Sequence, residues 1–144
     1  ATLSYYSKRY IKQSSFELFV IVTAGVGNAV DVSKATEHVW QKKHIGTINT
    51  WVFINGQLTD EAFIQAVMTA TEAKAKALFD EQIIDPVTHS IATGTSTDSI
   101  LISATQRGET FAYAGTITPL GKAIGKAVYE CTVEAIRKGR GTNG

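Results

Sequence analysis

The sequence predicts an α+β sandwich, a mixed β-sheet covered by two long helices. Three observations predict it. Apolar residues fall either into short runs rich in β-branched side chains or into two long stretches with helical spacing. The elements read in the order β-β-α-β-β-α, and two long helices can cover one face of a sheet of at least four strands. The chain has 144 residues, 44% hydrophobic and 19% charged. That suits one domain with a buried core and excludes a disordered tail.

The elements follow in order. Tyr5, Tyr6, Tyr10 and Ile11 have the spacing of one side of a short helix. Phe16 to Thr23 (FELFVIVT) is almost wholly apolar and reads as a strand buried on both faces. Ala24 to Ala29 (AGVGNA) is a turn of small residues. Val30 to Ile45 is polar and irregular, carries Asp31, Glu37, His38 and His44, and is expected to be a loop with room for a helical turn. Thr47 to Ile54 is a second strand, stopped by Asn55-Gly56, both tolerant of positive φ. A helix is expected from Asp60 to about Asp80. Thr59 is its N-cap, Asp60 and Glu61 lie in the first turn, and Leu58 and Phe63 take the positions of a hydrophobic staple. Its apolar stripe is Phe63, Ile64, Val67, Met68, Ala75, Leu78 and Phe79, with Thr71 on the stripe and Glu72 at its edge.

Gln82 to Ser90 is a connection broken by Pro86, and Ile91 to Asp98 (IATGTSTD) a hydroxyl-rich turn. Ser99 to Ala104 is a strand, Gln106-Arg107-Gly108 a tight loop, and Thr110 to Ala114 its hairpin partner. The last helix has Thr118 as N-cap and Pro119 as first residue. It buries Leu120, Ile124, Ala127, Val128, Cys131, Ala135 and Ile136, and is closed by Arg137, Lys138 and Gly139. Gly121 and Gly125 share one side and admit another backbone. An edge strand or a cover is expected to belong to sequence before Ala1. Ala1 to Tyr10 reads as the middle of a protein, as tag removal, proteolysis or an absent upstream segment would each produce. A self-processing N-terminal nucleophile is disfavoured, because Ala1 has no nucleophilic side chain.

Composition excludes several function classes. A net charge of +1 gives no global field, so neither nucleic acid nor an anionic membrane is the expected partner. One Cys, Cys131, excludes a disulfide framework and a multi-thiolate metal site, and suits a reducing, cytoplasmic location. No apolar run approaches the roughly 18 residues of a membrane span, and the start lacks the charged-then-apolar order of a signal peptide. His38, His44 and His89 form no metal-ligand spacing; a loop His is the simpler reading, and a general base brought in by folding the sharper one. Gly25-x-Gly27 has Val30 where a dinucleotide fingerprint needs its third Gly. Gly115 to Lys122 (GTITPLGK) has five residues between its glycines, and Ala123 where a Walker loop needs Ser or Thr. Neither is a nucleotide site.

The chain has 18 Thr, and many fall at strand ends: Thr23, Thr47, Thr93, Thr95, Thr97, Thr116 and Thr118. For any single Thr, β-propensity or capping is explanation enough. The cluster Thr93, Gly94, Thr95, Ser96, Thr97 and Asp98 is different, because paired hydroxyls around a flexible glycine suit an anion or amide-oxygen pocket. Asn28, Asn49, Thr23, Thr116 and Thr118 are candidate substrate contacts beside it. Asn49 lies inside a strand, where an amide needs a partner from the backbone or a ligand. Asp98 either satisfies local backbone donors or serves the chemistry. Glu72 belongs to a solvated helix face or, with Thr71, points over the sheet edge. These residues suggest a pocket that binds and polarises oxygens, and show no triad, metal or nucleophile.

Five segments in this order, TAGVGNA (Thr23 to Ala29), GTINTWVFING (Gly46 to Gly56), TATEAKAKAL (Thr69 to Leu78), ATGTSTDSI (Ala92 to Ile100) and YAGTITPLGKAIGKAVYE (Tyr113 to Glu130), together resemble the adenosylcobinamide amidohydrolase family. The resemblance runs from about Phe16 to Lys138. It implies hydrolysis of the amide joining the aminopropanol arm to the corrin ring of adenosylcobinamide, giving adenosylcobyric acid and 1-aminopropan-2-ol in cobalamin salvage. The family is longer at its N-terminus, so residues 1–144 are expected to be one amidohydrolase-like domain lacking that part. The expected partner is a corrinoid, which brings its own cobalt, so no metal or cofactor held by the protein is expected. A homo-oligomer would be unsurprising. Amide hydrolysis needs an activated water, a held oxyanion and a protonated leaving amine. The expected roles are Asp98 or Glu72 for water, Thr95 or Thr97 to orient it, and backbone N–H groups around Gly94 to Thr97 or at the Pro119 helix start for the oxyanion. Direct attack by Ser96 or Thr97 is the variant. A non-catalytic corrinoid carrier, or an assembly domain packing through Gly121 and Gly125, are the alternatives.

Overall fold

The computed structural model describes residues 5–40 and 46–143. Four strands make the main sheet, in the order β1 (Tyr6–Lys12), β2 (Glu17–Ala24), β4 (Ile48–Asn55) and β7 (Ser99–Ala104). β2 pairs antiparallel with both β1 and β4, and β7 runs parallel to β4, so the sheet is mixed, as expected. Both long helices, α1 (Asp60–Asp80) and α2 (Pro119–Asn143), pack against one face. Two short pairs lie outside the sheet: β3 (Ala29–Val30) antiparallel to β6 (Gly94–Thr95), and β5 (Gln57–Leu58) parallel to β8 (Thr110–Phe111).

The first segment is a strand and not a helix. Tyr6 and Tyr10 share a face in either conformation, because positions four apart satisfy both a period of 2 and one of 3.6. Pairing with β2 decides, from Tyr6 opposite Thr23 to Lys12 opposite Glu17. Among the described residues β1 forms one edge of the sheet. In β2 alternate residues are buried as far as Val22, with Leu18, Val20 and Val22 beneath the helices, and Thr23 and Ala24 are buried at its end. Phe19 and Ile21 are half-buried on the other face, because among the described residues no layer covers it. That open face also carries Tyr10, Trp51, Phe53 and Leu101, with the Phe19 and Phe53 rings 6.4 Å apart.

The expected hairpin after β7 does not form. The Gln106 side chain accepts from the Leu58 N–H at 2.7 Å and donates to the Leu58 carbonyl at 2.9 Å, pinning the chain to β5. β8 then runs alongside β5, and Phe111 packs edge-on against Phe16, ring centres 5.5 Å apart.

α1 begins as its sequence dictates, with the Thr59 hydroxyl accepting from Ala62 N–H at 3.1 Å. Its buried face is not the bulky stripe. Ala62, Ala66, Thr69, Ala70, Ala77 and Leu78 are buried, whereas Ile64 is 64% and Met68 55% exposed. Small side chains let α1 approach α2 and the sheet closely, and the larger ones are displaced outward. In α2 the whole expected stripe is buried. A Cβ on Gly121 would overlap the Gly115 carbonyl, so that turn needs glycine. Gly139 does not end α2. The helix continues to Asn143, with Lys138 donating to the Tyr6 carbonyl and Arg140 paired with Glu81.

Candidate active site

The C-terminal end of β2 and the N-terminal ends of β4 and β7 meet at one edge of the sheet. Asn49 bridges them. Its amide donates to the Thr23 hydroxyl at 3.3 Å and its carbonyl accepts from Ser99 at 2.8 Å. The partners its strand position demands are thus two hydroxyls. Just beyond, Thr47 donates to the Thr97 carbonyl at 2.8 Å, and Thr97 to the Gly46 carbonyl at 3.1 Å.

Asp98 anchors this corner. One carboxylate oxygen accepts from the Ile48 N–H and the Thr95 hydroxyl, the other from the Thr95 N–H at 3.1 Å and from Lys74 at 2.8 Å. Four donors saturate it. Lys74 comes from α1, so the ion pair also ties helix to loop, with both side chains largely buried. A Cβ on Gly94 would collide with this pair, which accounts for the glycine. Asn28 donates to the Ser96 hydroxyl at 2.9 Å, while its own carbonyl oxygen is buried without a hydrogen-bond partner among the described residues. Thr93 accepts from Val32 N–H at 3.1 Å. Thr23, Asn28, Asn49, Thr93, Gly94, Thr95, Ser96, Thr97 and Asp98 therefore form one continuous strip.

Three other sequence candidates lie apart from it. Glu72 precedes Lys74 by two positions and faces roughly 160° away around the helix axis. With Thr116 it lines a groove of about 580 Å³ between α1 and α2. Thr118 is engaged as the N-cap of α2, accepting from Gly121 N–H at 3.0 Å. His44 lies outside the described residues.

A second constellation adjoins the strip and was not assembled from the sequence. Asp85, 0% exposed, accepts from the N–H groups of Asp31 (2.8 Å), Val87 (2.8 Å) and Thr88 (3.2 Å). His38 Nε2 lies 2.9 and 2.8 Å from its two oxygens. Burial pushes the Asp85 carboxyl up, but the Asp31 N–H, His38 and the other two N–H groups outweigh it and hold the group well below the usual carboxylate range. Beside it Asp31 accepts from Ser33 and Ser90, which hold it low as well. His38 and Asp85 are 47 positions apart, and the only local signal was an Asp before Pro86, the mark of a turn. Among the described residues no three metal-ligating side chains converge, and no helix is long and apolar enough to cross a membrane.

The family model of adenosylcobinamide amidohydrolase matches residues 1–144. The chain belongs to the adenosylcobinamide amidohydrolase family. Curated relatives agree. Adenosylcobinamide amidohydrolases of Halobacterium salinarum and Methanosarcina mazei are 30% and 28% identical over 122 and 116 residues, covering 82% and 74% of this chain. An uncharacterised protein of Methanocaldococcus jannaschii is 40% identical over 99 residues, 67% of this chain. The matched regions are 48%, 50% and 38% of those relatives' own lengths, so this amidohydrolase-family chain spans about half of them or less. The resemblance carried by five segments thus extends, within the amidohydrolase family, to the whole chain.

Proposed function

We propose that the chain hydrolyses the amide between the aminopropanol arm and the corrin ring of adenosylcobinamide, releasing adenosylcobyric acid and 1-aminopropan-2-ol for cobalamin salvage in the cytoplasm. The observation that carries this reading is the family match across residues 1–144, which includes every residue of the strip at the sheet edge. The strip's chemistry supports it. Exposed Ser96 and Asn28 beside it bring a hydroxyl and an amide together where an amide and its tetrahedral intermediate can be held. Asp98 is spent on its four donors. Its part is to hold the turn carrying Thr95, Ser96 and Thr97 against β4 and α1. The corrinoid is the substrate and carries its own cobalt, so the strip needs to supply only hydrogen bonds and proton transfer.

Incubation of the purified chain with adenosylcobinamide, followed by chromatography for 1-aminopropan-2-ol, tests the proposal. We expect one equivalent of aminopropanol per adenosylcobyric acid formed. A shift of the corrin absorbance with no release would favour a carrier, and neither signal would remove the corrinoid from the account.

A further inference from the structure

We propose that His38, oriented by buried Asp85, is the group that moves the proton in this hydrolysis; the inference rests on the amidase reading above. Three features of the pair support it. Asp85 is held in place by three backbone N–H groups from two segments, and the imidazole takes its remaining acceptor capacity. Asp85 is an anion and an acceptor only, so a neutral His38 places its proton on Nε2, toward Asp85, and its lone pair on Nδ1. The ring is neither sealed nor free: its side chain is 24% exposed against 0% for Asp85, so part of the imidazole reaches the surface while Nε2 stays on the buried carboxylate. A base oriented by a buried carboxylate is a recurring arrangement in hydrolytic sites.

The surroundings hold the pair beside the strip. His38 closes the short 3-10 segment Val32–Glu37, its backbone N–H bonded to the Ala35 carbonyl at 3.0 Å. That segment starts at Asp31, whose own N–H donates to Asp85. The next N–H, of Val32, reaches the Thr93 hydroxyl. Thr93 in turn leads into β6 and Ser96. Asp31, buried and hydrogen-bonded to Ser33 and Ser90, and Glu37, directly before His38, are further carboxylates on this loop.

The step balances as an ordinary hydrolysis. His38 Nδ1 takes a proton from water as the water oxygen bonds to the amide carbon. The carbon–nitrogen bond then breaks, and the proton on Nδ1 passes to the departing nitrogen. The acid formed gives up its remaining proton to solvent. Asp85 stays anionic throughout and acts only through the ring, as a positioning residue.

The test compares the full chain with His38→Gln, His38→Ala and Asp85→Asn on adenosylcobinamide. We expect His38→Gln to keep its melting temperature and KM while kcat falls about 100-fold or more. Added imidazole should restore part of the His38→Ala rate, which a purely structural histidine would not allow. Asp85→Asn should lower kcat in the His38 protein and have no further effect on kcat in His38→Ala. If the wild type releases aminopropanol and His38→Gln does so within threefold of it, the dyad is wrong and the amidase reading stands. If imidazole fails to rescue His38→Ala, the proton-transfer role is overturned. If the wild type releases none, the amidase reading fails and the base falls with it.

Discussion

Gly121 shows how a single atom decides a corner of this protein. Its α-carbon lies against the Ala114–Gly115 turn, so a methyl group there would overlap a backbone carbonyl, whereas on Gly125 it would meet only the Thr69 methyl at 3.6 Å. A backbone carbonyl cannot swing aside as a side chain can. We therefore expect Gly121→Ala to destabilise the chain by about 1–3 kcal/mol in urea denaturation, and Gly125→Ala to be neutral or stabilising by up to about 1 kcal/mol. Equal effects of the two would contradict the packing described. The two key carboxylates are also decided at this scale. Asp98, legible as a polar residue after a glycine turn, takes four donors, including Lys74 from a helix 24 positions earlier. Asp85 was legible only as a turn residue that bonds Val87 and Thr88, because Asp31 and His38 reach it from across the fold and no spacing rule reports a contact of that range.

At the scale of elements, the seam between β1 and α2 carries the clearest electrostatic signature. Ser7 and Arg9 both reach Glu134, and Arg9 also reaches Glu130 at 3.2 Å. The hydrogen bond from Arg9, then that from Ser7, lowers the Glu134 carboxyl to about 2. Its folded value lies below the unfolded one, so the stabilisation is complete above about pH 4.3 and is lost as the pH falls toward 2. Glu134 is 41% exposed, so solvent keeps the effect modest. Melting curves should show wild type above Glu134→Gln at pH 7, with the gap closing between about pH 4 and 2. A gap unchanged at low pH would refute the assignment. The seam also explains the limits of sequence reading. Both helices were legible from caps and spacing, since Thr59 and Thr118 act locally. β1 was not, because four-residue spacing fits helix and strand alike and only pairing with β2 resolves it. The bulky side chains of α1 misdirected its buried face, because close packing of two helices on one sheet selects alanine.

For the whole molecule, the central feature is the convergence of sheet ends and loops on one edge, with the helices behind it and the aromatic face of Phe19, Trp51 and Phe53 left uncovered among the described residues. Most of the sequence's polar candidates gather at that edge because antiparallel β2 and β4 and parallel β7 align their Thr- and Asn-bearing ends. Glu72 and Thr116 do not, since they line the groove between α1 and α2. The edge, the open face that continues from it through Asn49 and Trp51, and the groove are the surfaces to be told apart for a corrinoid. A crystal structure of the chain soaked with adenosylcobinamide separates them. We expect the aminopropanol amide within hydrogen-bonding reach of Asn28 or Ser96, with the His38 ring turned toward it. An arm lodged in the groove beside Glu72 and Thr116, or a corrin ring lying on Trp51 with its amide far from Ser96, would contradict it.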